Sequence, residues 1–339
     1  MKQKIAISIG DINGVGLEIL LRELEHTLSV CEPIFCAHKE MFYAALQILQ
    51  SRTNNKTPRL ESNIAHITSL LDSMPASCFV PPESTHNLTL DALPLDTLPT
   101  ITPSLLDRTS GAYSFLSFMR ALELTESKNA NTLLTMPIHK EAWALANIPY
   151  AGHTELLRAH YKKEAIMMLG CEAMFVALFS DHIPLAQVSG RIGTESYTRF
   201  LLDFARCFRF SQALVLGFNP HCGDGGVIGG TEDIAISQAV RAANTALNDE
   251  KFVGVFPPDT AFSPRMRERF SVFVAPYHDI GLAPLKALYF DESINISLNL
   301  PITRVSVDHG VAYDIAYQGL ACTKSYHNAL HFALQEGLC

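Results

Sequence analysis

The chain has 339 residues, with 34 acidic and 26 basic side chains and a formal net charge of −8. Apolar residues make up 48% and charged residues 18%, so burial can offset the ordering entropy and a disordered polypeptide is excluded. The acidity argues against a nucleic-acid binder, which needs a basic face, and no run of about 18 apolar residues is available to span a bilayer.

In chain order, residues 4–10 form an apolar run that ends at Gly10 and predict a buried strand. Residues 17–28 carry leucines at helical spacing, residues 33–37 predict a second strand, and residues 42–49 a second helix. Strand–helix–strand–helix is the order of a parallel sheet with helices on its faces, so the class is α/β. Residues 51–63 are polar and residues 81–103 are proline-rich, and both are expected to be loops or edge segments. A helix is expected over 111–124 and a strand over 131–136. Further strands are expected over 165–169, 175–179, 213–217, 253–256 and 272–275, with helices over 234–247 and 328–335.

Eight cysteines are scattered without a C-x-x-C pair. The N-terminal residues run straight into the first strand without a long apolar stretch or a small-residue cleavage site. Reduced thiols in a cytoplasmic protein are expected. The low charged fraction points to apolar surface covered by another subunit.

Histidine is the informative residue, with thirteen copies. In α/β sheets ligands bind beyond the carboxyl ends of strands. His182, His221 and His278 each follow a predicted strand at such a place. Three imidazoles projected from strand ends suit one divalent cation with open positions for substrate, and they equally suit three unrelated loops. Residues 221–230 hold five glycines after His221, either for close backbone approach to a ligand or as a flexible surface loop. Gly10 to Gly16 opens a helix after the first strand. Its spacing is neither G-x-G-x-x-G nor a Walker motif, which leaves an anion cradle and a tight structural turn both open. His153 and Thr154 stand at the start of another helix, Thr154 as a candidate N-cap. Lys286, Asn295 and Arg304 lie in apolar surroundings, where they either face solvent or converge on an anion such as a phosphate ester. Asp308 beside His309 is a candidate supporting pair.

Eight motifs follow one another from residue 8 to residue 310. They are Ser8-Ile-Gly-Asp-Ile-Asn-Gly-Val-Gly16, Met136-Pro-Ile-His-Lys140, Gly152-His-Thr-Glu155, Asp181-His-Ile-Pro-Leu185, Asn219-Pro-His-Cys-Gly-Asp-Gly-Gly226, Pro258-Asp-Thr260, Tyr277-His-Asp-Ile-Gly-Leu282 and Ser306-Val-Asp-His-Gly310. Together they resemble the 4-hydroxythreonine-4-phosphate dehydrogenase family of pyridoxal 5′-phosphate biosynthesis. The resemblance implies an isocitrate/isopropylmalate dehydrogenase-like fold of two intertwined α/β lobes with a cleft between them. The N- and C-terminal segments would form one lobe and the middle segment the other. It implies NAD- or NADP-dependent oxidation of 4-phosphooxy-L-threonine, followed by loss of CO₂ to give 3-amino-2-oxopropyl phosphate. A divalent cation (zinc, cobalt or magnesium) would be held by His182, His221 and His278. Substrate contacts would come from His153, Thr154, Lys286, Asn295 and Arg304, with Lys286 also the candidate for proton transfer. No cofactor contact is assigned. A homodimer with shared active sites is implied, with neither nucleic acid nor membrane as partner. A paralogous dehydrogenase of threonate or erythronate phosphate, and a three-histidine metallohydrolase, are the competing functions. The chain departs from the usual family pattern at Ile12, Asn13, Leu17, Cys222, Asp224 and Ile280.

Overall fold

The computed structural model describes residues 2–53, 58–82 and 98–335. Ten strands occur among these residues: β1 (Lys4–Ser8), β2 (Glu32–Phe35), β3 (Thr132–Thr135), β4 (Ile166–Cys171), β5 (Met174–Leu178), β6 (Ala213–Leu216), β7 (Phe252–Phe256), β8 (Val272–Ala275), β9 (Ile294–Leu298) and β10 (Arg304–Val307). The chain divides into two compact units, one built on Met1–Lys162 and Pro301–Leu334, the other on Lys163–Leu300.

The first unit carries the parallel strands β2-β1-β3-β10. β1, β3 and β10 are almost continuously buried, which is why they read as apolar runs without alternation. Helix Arg108–Glu126 packs on β1 and β3, and helix Lys324–Leu334 on β3 and β10. At Gly111 the first of these helices touches its neighbour, where an added Cβ would lie 2.1 Å from the Ala142 carbonyl oxygen.

The second unit has the order β9-β4-β5-β8-β6-β7. β9–β4 and β4–β5 are antiparallel, whereas β5–β8, β8–β6 and β6–β7 are parallel. The antiparallel part departs from the parallel sheet expected from the alternation. Two residues separate β4 from β5, too few for a crossover, so the pair closes as a hairpin. The core of this unit gathers Val176, Leu214, Phe273, Leu282 and Leu285.

Other differences have local causes. The helix expected over 17–28 is two, Gly16–Arg22 and Leu24–Val30, broken at Glu23. The break leaves Leu17, Leu20, Leu21 and Leu24 buried, so the periodicity carries no trace of it. Part of the expected 51–63 loop is helical: Lys39–Thr53 runs into it and Pro58–Ser73 begins inside it. Proline is accommodated in a first helical turn, where its missing N–H has no partner to lose. Residues 54–57 and 83–97 of the expected loops lie outside the described residues. Helix His278–Tyr289 contains Pro284, which hid it from a reading that treats proline as a breaker.

Candidate active site

In the first unit, three strand ends define one edge. After β1, Gly10 takes φ +70°, and an added Cβ there would stand 2.3 Å from the Pro137 carbonyl oxygen. Asp11 N–H donates to that oxygen at 2.8 Å, Gly14 N–H to the Asp11 carbonyl at 3.2 Å, and Val15 N–H to the Val311 carbonyl at 3.0 Å. Asn13 N–H donates to Asp11 Oδ1 at 2.9 Å. These four amides are engaged within the protein, as a tight structural turn requires. Asn13, one of the departures from the family pattern, is built in. Its Nδ2 donates to the Leu105 carbonyl and to Asp107 Oδ2, both at 2.8 Å, and its Oδ1 accepts from Thr102 N–H at 2.7 Å.

Arg304 opens β10 and is 3% exposed. It is in register with Leu133, two residues before Thr135, so the Arg304 and Thr135 side chains stand on the same face. Thr135 Oγ1 accepts from Arg304 Nε at 3.1 Å and from Nη2 at 2.8 Å. Nη2 also reaches His153 Nδ1 at 3.0 Å. A guanidinium has donors only, so Nδ1 accepts and the proton of the neutral imidazole is on Nε2. Burial, and then the Arg304 charge, hold the His153 pKa well below its ordinary value, so the ring is neutral. Burial also lowers the Arg304 pKa to about 9, which leaves the guanidinium charged at neutral pH. The His153 ring stacks on Phe118 (centroids 4.7 Å apart) and meets the edge of Trp143 (5.4 Å). Its Nε2 is buried and has no hydrogen-bond partner among the described residues. A buried donor beside a buried cation is the chemistry of an anion site. Thr154 is not the N-cap: Gly152 holds that position, and Thr154 is the second residue of helix His153–Tyr161.

In the second unit, β8 lies between β5 and β6, although it follows both in the chain. The loops carrying His182 (after β5), His278 (after β8) and His221 (after β6) therefore leave three adjacent parallel strands at one edge. The His182 and His278 rings are 5.7 Å apart, close enough for both imidazoles to turn towards one cation. His278 Nδ1 pairs with Asp279 Oδ1 at 2.7 Å, which would leave Nε2 as the nitrogen to face a cation, the usual arrangement for a carboxylate-oriented ligand. His221 begins a left-handed run in which His221, Cys222, Gly223, Asp224, Gly225 and Gly226 all have positive φ. Cys222, a departure from the family pattern, follows His221 directly, and burial raises its thiol pKa to about 11. Phe218, ahead of His221, touches Tyr277, ahead of His278, with ring centroids 5.9 Å apart. Among the described residues, no three His, Cys, Asp or Glu side chains are already gathered to hold a metal ion. The donor set fits a borderline cation, with His182 and His278 paired and His221 on the neighbouring strand end. Lys286 lies two helical turns beyond His278, half-buried, with Nζ 5.2 Å from the Phe290 ring centroid. Asn295 is on β9, in register with Leu169.

Three features were not singled out from the sequence. Thr135 supports Arg304. Asp233 is 5% exposed and accepts at Oδ1 from Phe218 N–H (2.8 Å) and at Oδ2 from Asn219 N–H (3.1 Å) and Asn219 Nδ2 (2.7 Å), clamping the turn before His221. In the first unit, the Tyr313 hydroxyl donates to Asp11 Oδ2 at 2.9 Å, and the Tyr313 ring stacks on His139 at 5.2 Å. Burial raises the Asp11 pKa against the lowering effect of these hydrogen bonds. The only signal available for Thr135 and Asp233 was position, one just before Met136-Pro137 and the other just after the glycine-rich turn.

Residues 29–333 match the family model described as "Pyridoxal phosphate biosynthetic protein PdxA". The 4-hydroxythreonine-4-phosphate dehydrogenase of Sulfurimonas denitrificans is 46% identical over 336 residues, covering 99% of this chain and 98% of the relative. That of Campylobacter fetus is 44% identical over 332 residues, covering 98% and 97%. Among solved structures, a 4-hydroxythreonine-4-phosphate dehydrogenase from Burkholderia phymatum superposes with a TM-score of 0.71 at 26% identity, covering 98% of each chain. One from Klebsiella pneumoniae superposes with a TM-score of 0.70 at 25% identity, again covering 98% of each.

Proposed function

Because the chain belongs to the 4-hydroxythreonine-4-phosphate dehydrogenase family (PdxA), we propose that it oxidises the C3 hydroxyl of 4-phosphooxy-L-threonine with NAD, or NADP in its place. The product, 2-amino-3-oxo-4-phosphooxybutanoate, is a β-keto acid and loses CO₂ to give 3-amino-2-oxopropyl phosphate. The observation that carries this reading is the buried Arg304–His153 pair with its unpartnered Nε2–H, a site made for a phosphate ester.

Arg304 and His153 anchor the phosphate, with Thr154 beside them, and so fix the reacting carbon in place. Lys286 and Asn295 bind the carboxylate end, and Lys286 is the group for proton transfer. His182, His221 and His278 would hold one divalent cation, of which zinc and cobalt suit imidazole better than magnesium. Such a cation, when bound, stabilises negative charge at the substrate's C3 oxygen and on the carbon left by CO₂.

We further place the enzyme in the cytoplasm as a homodimer with shared active sites. The seven cysteines among the described residues are free, as that compartment requires, and no helix there is long and apolar enough to cross a membrane. Leu185 (63%), Val227 (84%) and Ile234 (54%) are apolar side chains exposed in the second unit, of the kind a second subunit would cover.

The test is reduced-nicotinamide formation from 4-phosphooxy-L-threonine and from threonate and erythronate phosphates, with metal-stripped and reconstituted enzyme. Turnover of 4-phosphooxy-L-threonine that depends on added metal is expected. Preference for another phosphate would reassign the substrate, and hydrolysis without nicotinamide reduction would point to a metallohydrolase. His221→Ala should lose turnover and metal retention together, and an active, metal-replete variant would overturn the ligand assignment.

A further inference from the structure

Arg304 and His153 meet through one nitrogen, so the orientation of the guanidinium decides which nitrogen of the imidazole carries the proton. A free arginine side chain samples many rotamers, and Arg304 is held by Thr135. Two of its nitrogens, Nε at 3.1 Å and Nη2 at 2.8 Å, converge on the single Oγ1 of a fully buried threonine. That double contact sets the plane of the guanidinium. The same Nη2 then reaches His153 Nδ1 at 3.0 Å. Phe118 and Trp143 confine the ring from its face and its edge. The unpartnered Nε2 is the outer end of this chain of contacts.

We propose that Thr135 is a positioning residue for phosphate binding: by orienting Arg304 against Nδ1 it keeps His153 as a neutral Nε2–H donor. The inference rests on the phosphate-site reading given above. The ligand it selects is a phosphate monoester dianion, which has acceptor oxygens for both the Nε2–H and the guanidinium. His153 binds as a hydrogen-bond donor throughout and takes no proton from the ligand. A hydroxyl acceptor suits the role because it orients the guanidinium without neutralising it. A carboxylate there would form a closed ion pair and weaken the pull on an incoming anion.

The test compares Thr135→Val, which removes the acceptor at nearly the same volume, with Thr135→Ser, which restores it. The first readout is inorganic phosphate binding followed by fluorescence of Trp143, the only tryptophan in the chain, whose ring lies against His153. The second is KM and kcat for the phosphorylated substrate, with KM for the nicotinamide cofactor as the internal control. Thr135→Val should weaken phosphate binding and raise substrate KM on the order of 10-fold or more, the loss expected for charge-assisted contacts that are no longer aligned. Cofactor KM should stay at the wild-type value, and Thr135→Ser should recover most of the affinity. The ¹⁵N spectrum of the imidazoles should show a His153 signal with protonated Nε2 in wild type and Thr135→Ser, and mixed tautomers in Thr135→Val.

Wild-type phosphate affinity in Thr135→Val, or no recovery in a folded Thr135→Ser, would overturn the role of Thr135. Should Thr135→Val not fold, Thr135→Ala carries the same expectations and the same refutation. The phosphate measurement needs no turnover, so it judges Thr135 even if the substrate proves to be another phosphate ester. A wild type that binds no phosphate would overturn the site reading, and this role with it.

Discussion

Acidification should destabilise the first unit through His153, by an amount that follows from its burial. In an unfolded chain the imidazole takes up a proton below its ordinary pKa of 6.5. In the folded protein it cannot, because burial and then the Arg304 charge hold its pKa well below that value. A depressed pKa means that the stability is fully present above pH 6.5 and is lost as pH falls towards the folded value. The slope for one such group is about 1.4 kcal/mol per pH unit. Well below pH 6.5 each further unit of acidification thus removes about 1.4 kcal/mol, a sizeable part of a net stability of roughly 5–15 kcal/mol. The perturbation that isolates the effect is His153→Gln, whose amide can accept from Arg304 and donate outward but does not titrate. Urea unfolding is followed by the emission of Trp143, which is fully buried in the same unit and reports on it alone. Between neutral pH and about one unit below 6.5, wild type should lose about 1.2 kcal/mol more than His153→Gln. Asp11 and the other titrating groups are common to both proteins and cancel in the difference. Parallel pH profiles for the two proteins would refute a buried neutral His153.

Asp233→Asn should weaken metal binding about 10- to 100-fold, the usual effect of losing a residue that orients a ligand loop. Both Asp233 oxygens accept hydrogen bonds from the turn before His221, and an asparagine would put a donor against one set of them; equilibrium dialysis with cobalt checks this. Gly111→Ala should lower stability by about 1–3 kcal/mol or prevent folding, because the new methyl group would overlap the Ala142 carbonyl oxygen and force two helices apart. A thermal melt within error of wild type would contradict that packing.

Much of the candidate site could be read along the chain because it sits where strands end. His182, His221 and His278 follow β5, β6 and β8, and His153 and Arg304 occur at the starts of a helix and a strand. Each carries a local mark in its glycines, prolines or apolar neighbours. Thr135 and Asp233 carry only their position beside such a motif, because their roles lie in contacts made across the chain. Thr135 meets a residue that follows it by 169 positions, and a threonine at the end of a buried strand looks the same whether or not it has a partner. The turn at Gly10 illustrates the reverse case. Its glycines suggested an anion cradle as readily as a tight turn, and only the fold shows that the carbonyls of Pro137 and Val311 take up the Asp11 and Val15 amides.

The α/β class, eight of the ten strands (all but β9 and β10) and the residues rich enough in chemistry to form a site are legible along the chain. Burial periodicity and turn residues act over a few positions, so they survive in a linear reading. Tertiary structure decided what no such window contains. It inserted β8 between β5 and β6, which brings the His182 and His278 rings to 5.7 Å, and it paired β4 antiparallel with both β5 and β9. It also assigned the His153 proton to Nε2, through an arginine contributed by a strand from the far end of the chain. Strand order and proton placement both depend on which distant segments meet, and that is settled by packing the whole unit.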